Sequence, residues 1–416
     1  MKGQIRRPGV LLCIVAALAL AQGCGRKAPP APKAGEILWK GRVGEAAPGH
    51  PSVSGGVLYF TKFEPFRIKG FILWGRAPSI IAVDVRTGKR RWHYSSPSQI
   101  RQGPSLFKDT VYFTPEDGHL RALDRGTGKT RWVSPVSVLS ARLVEQVLYG
   151  WGKEVQAIEP RTGKQLWNHT FSMYVEACPW PQAGLVFAGT SGGAVYGLDS
   201  KTGDEKWRTE GTGYIFYTLV PGDDAVVIRD TSGRMCAIDI KTGAQRWCYE
   251  PSQGGSGSPA VAGGMALTEI SYRSIDAIDM ATGERKWSFP EVTTDSALTF
   301  PNFSTLERTQ DLVYFGANDG YLRAVDARTG AVKWKFRPPG GVAARPVIAG
   351  AAVYLVSTGP VLYELDTETG EERWHAQLPS AVAPYPHLAV GDGIVAYRGT
   401  DGYVYAINAP AGDAKQ

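Results

Sequence analysis

The sequence predicts an all-β protein, a single closed β-propeller of four-stranded blades. Three observations predict it. First, an eleven-residue segment such as AVDARTGAVKW (324–334) is written eight times, always with Thr-Gly and a closing Trp. Second, those tryptophans (Trp92, Trp132, Trp167, Trp207, Trp247, Trp287, Trp334 and Trp374) recur mostly at intervals of 40 residues, a period in the range of propeller blades. Third, a short β-branched or aromatic run and a tight Gly turn precede the copies, as in LVYFGA (312–317) before NDG, which reads as strand-turn-strand. No window of similar length carries a 3.6-residue pattern, so helical arrays of this period are excluded.

Each unit divides into four strands. The first is short and often carries Pro near its start, as in SPAVA (258–262). The second is the β-rich run, the third ends in Ala-x-Asp, and the fourth carries the Trp. The eleven residues are the turn between third and fourth. Asp accepts backbone N–H groups two residues on. Gly takes the left-handed conformation that closes the reversal. A small first residue leaves room for the indole, a wide apolar plate with one N–H to satisfy. One such plate per unit would staple neighbouring blades. Before seven of the eight tryptophans stands Lys or Arg, Leu166 being the exception. These cations read as the solvent side of an outer strand. The net charge of +7 falls to +4 without Lys2, Arg6 and Arg7, and the basic residues are dispersed, so a nucleic-acid partner is not expected.

Along the chain, residues 1–23 read as a signal peptide: a basic start, then the apolar run VLLCIVAALAL, too short to span a bilayer. Residues 24–35 read as a flexible tether, 36–410 as the propeller, and 411–416 as a tail. Ile37-Leu38-Trp39-Lys40 looks like a fourth strand with no unit before it, and the last unit, GTDGYVYAINAPAG (399–412), lacks its Trp. Trp39 is therefore expected to complete the final sheet and close the ring. Counting strand sets in this way gives nine blades.

The pattern Ala-x-Asp-x-x-Thr-Gly-x-x-x-Trp resembles the tryptophan-docking motif of the pyrroloquinoline quinone (PQQ) repeat family of β-propellers. That family usually builds eight blades, so eight stands beside nine. The departures are Glu159 for Asp, Gly197 and Glu364 for Ala, and Pro160 inside the third copy. The leader ending AQGC resembles a bacterial lipobox, which implies a lipid anchor on Cys24. Ala21 stands where that motif prefers Leu, and ordinary cleavage after Ala19-Leu20-Ala21 is the alternative. Gly25 after the Cys implies, by the same resemblance, passage to the outer membrane. With a bare propeller of similar length, the chain is similar to the BamB-like outer-membrane assembly lipoproteins.

Cys236 and Cys248 flank one copy, CAIDIKTGAQRWC. Two readings stand: a disulfide across a hairpin in an oxidising compartment, which a one-residue register slip would prevent by putting the two on opposite faces, or two small apolar residues on a strand face. The enzymes of the resembling family carry a quinone, a divalent cation and often adjacent cysteines. This chain has no adjacent pair and no long insertions between blades. Its six histidines show no ligand spacing, and no nucleophile or phosphate-loop motif occurs. No catalytic residue, cofactor or metal is expected, and the chain is expected not to be an enzyme. Partner contact is assigned to the insertion FTKFEPFRIKGFILWGRAPS (60–79), with Phe63, Phe66, Phe71 and Trp74, against a loop folded over the propeller's own face. EVTTDSALTFPNFSTLERTQ (291–310) and MYVEACPWP (173–181) follow it. The expected function is a periplasm-facing, membrane-anchored scaffold binding a protein partner, of the outer-membrane assembly class by resemblance. A soluble periplasmic protein, a ligand-binding or sensor propeller, and a quinone-dependent dehydrogenase are the alternatives.

Overall fold

The computed structural model describes residues 32–43, 51–62, 66–68, 71–73, 78–100, 103–176, 178–210, 213, 219–251, 255–270, 274–289, 306–317, 319–342, 345–381 and 388–409. The leader, Cys24 and most of the tether lie outside them, as do Phe63, Trp74 and the tail.

The described chain is all β: nine four-stranded antiparallel sheets, plus one two-stranded hairpin. Each of blades 1 to 8 runs in sequence order from first to fourth strand. Blade 5, for instance, is Val220–Pro221, Ala225–Arg229, Met235–Asp239 and Gln245–Tyr249. The count is thus nine and not the eight of the family norm. The short third unit is a full blade, and only Gly152 and Lys153 separate its second and third strands. Blade 9 takes Ala389–Gly391, Ile394–Arg398 and Tyr403–Asn408 from one end of the chain and Ile37–Arg42 from the other. Trp39 faces Ala406 in the register of that last pair. Gly56 N reaches Asp392 Oδ2 across the join at 2.9 Å, and apolar residues of blades 1 and 9 share one cluster, Leu58 and Phe60 with Ile394 and Val404 among them.

Burial follows position in the blade. Second strands are covered on both sides by neighbouring blades, and Leu312–Gly316 is buried throughout, so they need continuous apolar runs. Fourth strands alternate: in Glu205–Thr209 only Trp207 is buried. The connections between first and second strands share one face with the Thr-Gly turns, as Val85 N to Gly56 O (3.1 Å) shows. We call this the turn face. Connections between second and third strands share the other with the links between blades, as in Ser191 N to Tyr174 O (2.8 Å). This is the loop face. The insertion of blade 1 leaves the loop face as the hairpin Phe66–Ile68 and Phe71–Leu73.

Candidate functional site

The repeated tryptophans build the joints between blades. Trp92 Nε1 donates to Arg125 O of the next blade at 2.8 Å. Trp39, Trp132, Trp167, Trp207, Trp247, Trp287 and Trp334 do the same to Val85, Pro160, Ser200, Ile240, Met280, Ala327 and Thr367. Every acceptor is the residue after the motif Asp or, in the third copy, Glu159. Pro160 keeps the accepting carbonyl, which also receives Tyr112 OH at 2.9 Å, but forgoes the backbone N–H that Val85 and Arg125 donate at this position. Trp92, Trp167, Trp207, Trp247 and Trp334 are buried, whereas Trp39, Trp132, Trp287 and Trp374 are half-buried. Each indole lies on the motif Gly of the next blade. A Cβ on Gly128 would come 2.6 Å from the ring of Trp92, so that Gly is required for close approach as well as for its φ of +71°. In six blades the indole also meets an aromatic of its own second strand, as with Tyr59 and Trp92, centroids 5.8 Å apart.

The cations before the tryptophans serve these turns. Asp84 Oδ1 accepts from Arg86 N (3.2 Å) and Thr87 N (3.0 Å), while Oδ2 faces Arg91 at 2.9 Å. The Arg91 guanidinium holds the carboxyl down to about 2. Six other blades repeat the pair, from Arg131 with Asp124 to Arg373 with Asp366. The plain reading as a charged edge was incomplete: the cation is the partner of the motif Asp. Blade 3 lacks both halves together, with Glu159 for Asp and Leu166, 51% exposed, for the cation.

Cys236 and Cys248 lie directly opposite in the register of blade 5 and form a disulfide, Cα atoms 4.1 Å apart. Cys178 is the free cysteine among the described residues. Phe66 and Phe71 sit on the blade 1 hairpin, in register with Leu73 and Ile68 respectively.

A surface the sequence singled out only in part lies on the loop face at blades 3 and 4: Met173 and Tyr174 open the candidate segment 173–181, and Leu139 lies outside every candidate segment. Leu139, Met173 and Tyr174 are 63%, 48% and 47% exposed, three of the six exposed large apolar residues among those described. The tight glycine turns beneath hold them up. Leu139 N donates to Trp151 O (2.8 Å) and Val175 N to Gly152 O (2.7 Å). A Cβ on Gly152 would meet Leu139 at 3.2 Å, and one on Gly192 would meet Met173 at 3.2 Å. Met173 and Tyr174 belong to the segment 173–181, the link between blades 3 and 4. No local pattern marks Leu139, whose exposure depends on the turn at Gly152.

One buried carboxyl stands apart. Glu269 is the last residue but one of the second strand of blade 6, towards the loop face, 8% exposed, with Oε1 unpartnered. Burial pushes it up to about 7, against the opposing pull of Arg229. Among the described residues no group of three or more His, Cys, Asp or Glu is placed to hold a metal ion.

Among curated proteins, a stretch of 142 residues is 28% identical to quinoprotein alcohol dehydrogenase PedH of Pseudomonas putida, over 28% of this chain and 22% of the relative. The chain thus spans about a fifth of that relative's length. Among solved structures, BamB from Moraxella catarrhalis matches at 17% identity and a TM-score of 0.47, over 90% of this chain and 99% of that one. A europium-containing methanol dehydrogenase matches at 15% identity and 0.50, over 88% and 84%; this likeness shows the fold. The dehydrogenases overturn the expectation that the chain is not an enzyme. They share its repeat and its propeller, so a missing cysteine pair and short blade links do not separate the two classes. A family model described as outer membrane protein assembly factor BamB matches residues 30–146, 145–215, 211–336 and 318–415, and the chain belongs to that family of PQQ-like repeat propellers.

Proposed function

We propose that the protein is a periplasm-facing scaffold that holds a protein partner on its loop face and works in outer-membrane protein assembly. The observation that carries this reading is the apolar surface of Leu139, Met173 and Tyr174, raised on a rigid disc. Exposed aromatic and Met side chains of this kind are enriched at protein interfaces. Family membership supports the class of partner. Cys24 carries a lipid in this account, and residues 1–23 direct export.

The test is capture from solubilised membranes with the full chain as bait, against a variant with Leu139→Ser, Met173→Ser and Tyr174→Ser. The wild type should enrich a component of outer-membrane assembly and the variant should lose it, with an unchanged melting temperature. Equal capture by both would reject the surface. In the same preparation Cys24→Ser should move the protein to the soluble fraction, and an unaltered distribution would reject the anchor.

A further inference from the structure

Trp374, on the fourth strand of blade 8, is the one repeated tryptophan whose indole N–H does not reach the next blade. That blade is the ninth, whose third strand ends at Asn408 and does not turn back into a fourth. The turn is nevertheless present, assembled from both ends of the folded chain. Gly35 N donates to Asn408 O at 2.7 Å, and Asn408 N donates to Glu36 O at 2.8 Å. In blade 1 the same two bonds run within one segment, Gly88 N to Asp84 O (2.9 Å) and Asp84 N to Lys89 O (2.8 Å). Ala409 N bonds Gly393 O (2.9 Å) as Val85 N bonds Gly56 O (3.1 Å). Gly35 has a φ of +78°. The bulge beside Trp39, which pairs with Ala406, repeats the one beside Trp92, which pairs with Ala82. Ala406-Ile407-Asn408 and Ala34-Gly35-Glu36-Ile37-Leu38-Trp39 are therefore two halves of a ninth copy, and Lys33–Gly35, which the sequence assigns to the tether, belong to the blade.

The cut accounts for two odd residues. In whole copies the motif Asp accepts N–H groups from the turn that follows. In the cut copy the other chain end offers a carbonyl instead, and Asn408 Nδ2 donates to Lys33 O at 3.1 Å. Glu364 stands where other copies have Ala or Gly. Trp374 Nε1 donates to its Oε2 at 2.8 Å, within the same blade, and Arg373 holds its Oε1 at 3.3 Å. The seat on Gly35 is also looser. A Cβ there would lie 3.4 Å from the indole, against 2.4–2.8 Å at the eight intact seats.

We propose that the strap Lys33–Arg42 is a latch that opens separately from the rest of the ring, with Glu364 as the positioning residue that keeps Trp374 seated while the strap is away. Three features make it separable. The strap is joined to blade 9 without a covalent link, by backbone pairing and by packing of Ile37, Leu38 and Trp39; its turn is not covalently continuous, and the neighbouring indole has its acceptor on its own blade. Release frees the edge of Tyr403–Asn408, which then becomes available for pairing with another strand.

Hydrogen exchange on the full chain, read by mass spectrometry, tests this. Amides of Ile37–Arg42 and Tyr403–Asn408 should exchange about tenfold or more faster than those of Val361–Asp366 and Glu372–Gln377, as expected of a locally opening unit. Asn408→Asp sets a carboxylate against Lys33 O and should speed exchange of the strap and its partner strand alone. Adding Glu364→Ala should extend that fast exchange to Glu372–Gln377. Equal wild-type rates in the strap and blade 8 would overturn the proposal, and so would an Asn408→Asp variant that exchanges faster in every blade together.

Discussion

An indole closing on a neighbour's glycine is the unit of this protein's cohesion. At 9% exposure, with Nε1 3.0 Å from Met280 O, Trp247 joins blade 5 to blade 6. Trp247→Ala should cost about 3–5 kcal/mol, the usual loss for a buried aromatic. A thermal melt with unaltered midpoint would show the joint to be dispensable. At this scale the sequence is highly legible, because Asp, Gly and Trp repeat and each has a local reason for its place. Glu364 and Asn408 were not legible, since each occurs once and Asn408 answers to Lys33, 375 residues away. The motif cations were half legible: their exposure follows from alternation with Trp, while their pairing with Asp needs the turn folded.

Among elements, the strands and their order were readable from β-rich runs and glycine turns. The surfaces were not. The aromatic insertion at 60–79 drew attention by composition, yet three of the six exposed large apolar residues described, Leu139, Met173 and Tyr174, stand on the short links that lead into blades 3 and 4. Their display comes from the tight glycine turns at Gly152 and Gly192, a property of backbone geometry. The strand Met265–Ile270 shows what burial does to a charge. Glu269 titrates near 7 in the folded protein and near 4.5 as a free side chain. Between those values the native state holds a proton that the unfolded chain has released. Stability from this group is therefore present at low pH and lost as pH rises through 7. Glu269→Gln should remove that dependence, stabilising the protein by up to about 3 kcal/mol at pH 8 and hardly at all at pH 4. Denaturant titrations at the two pH values check it; an equal effect at both would mean that the carboxyl is not held protonated.

The whole molecule is a ring of nine blades because the chain writes eight whole turn motifs and the halves of a ninth. That number was countable in the sequence. Activity was not, since one fold can host unrelated functions. The proposed scaffold function rests on the loop face of blades 3 and 4. Its most direct test is photo-crosslinking in intact cells from single positions, Leu139 and Tyr174 on the loop face against Lys164 and Lys241 on the turn face. The account predicts adducts with an outer-membrane assembly component from the first two positions only. Adducts with such a component from the turn-face positions alone, or from none of the four, would contradict it.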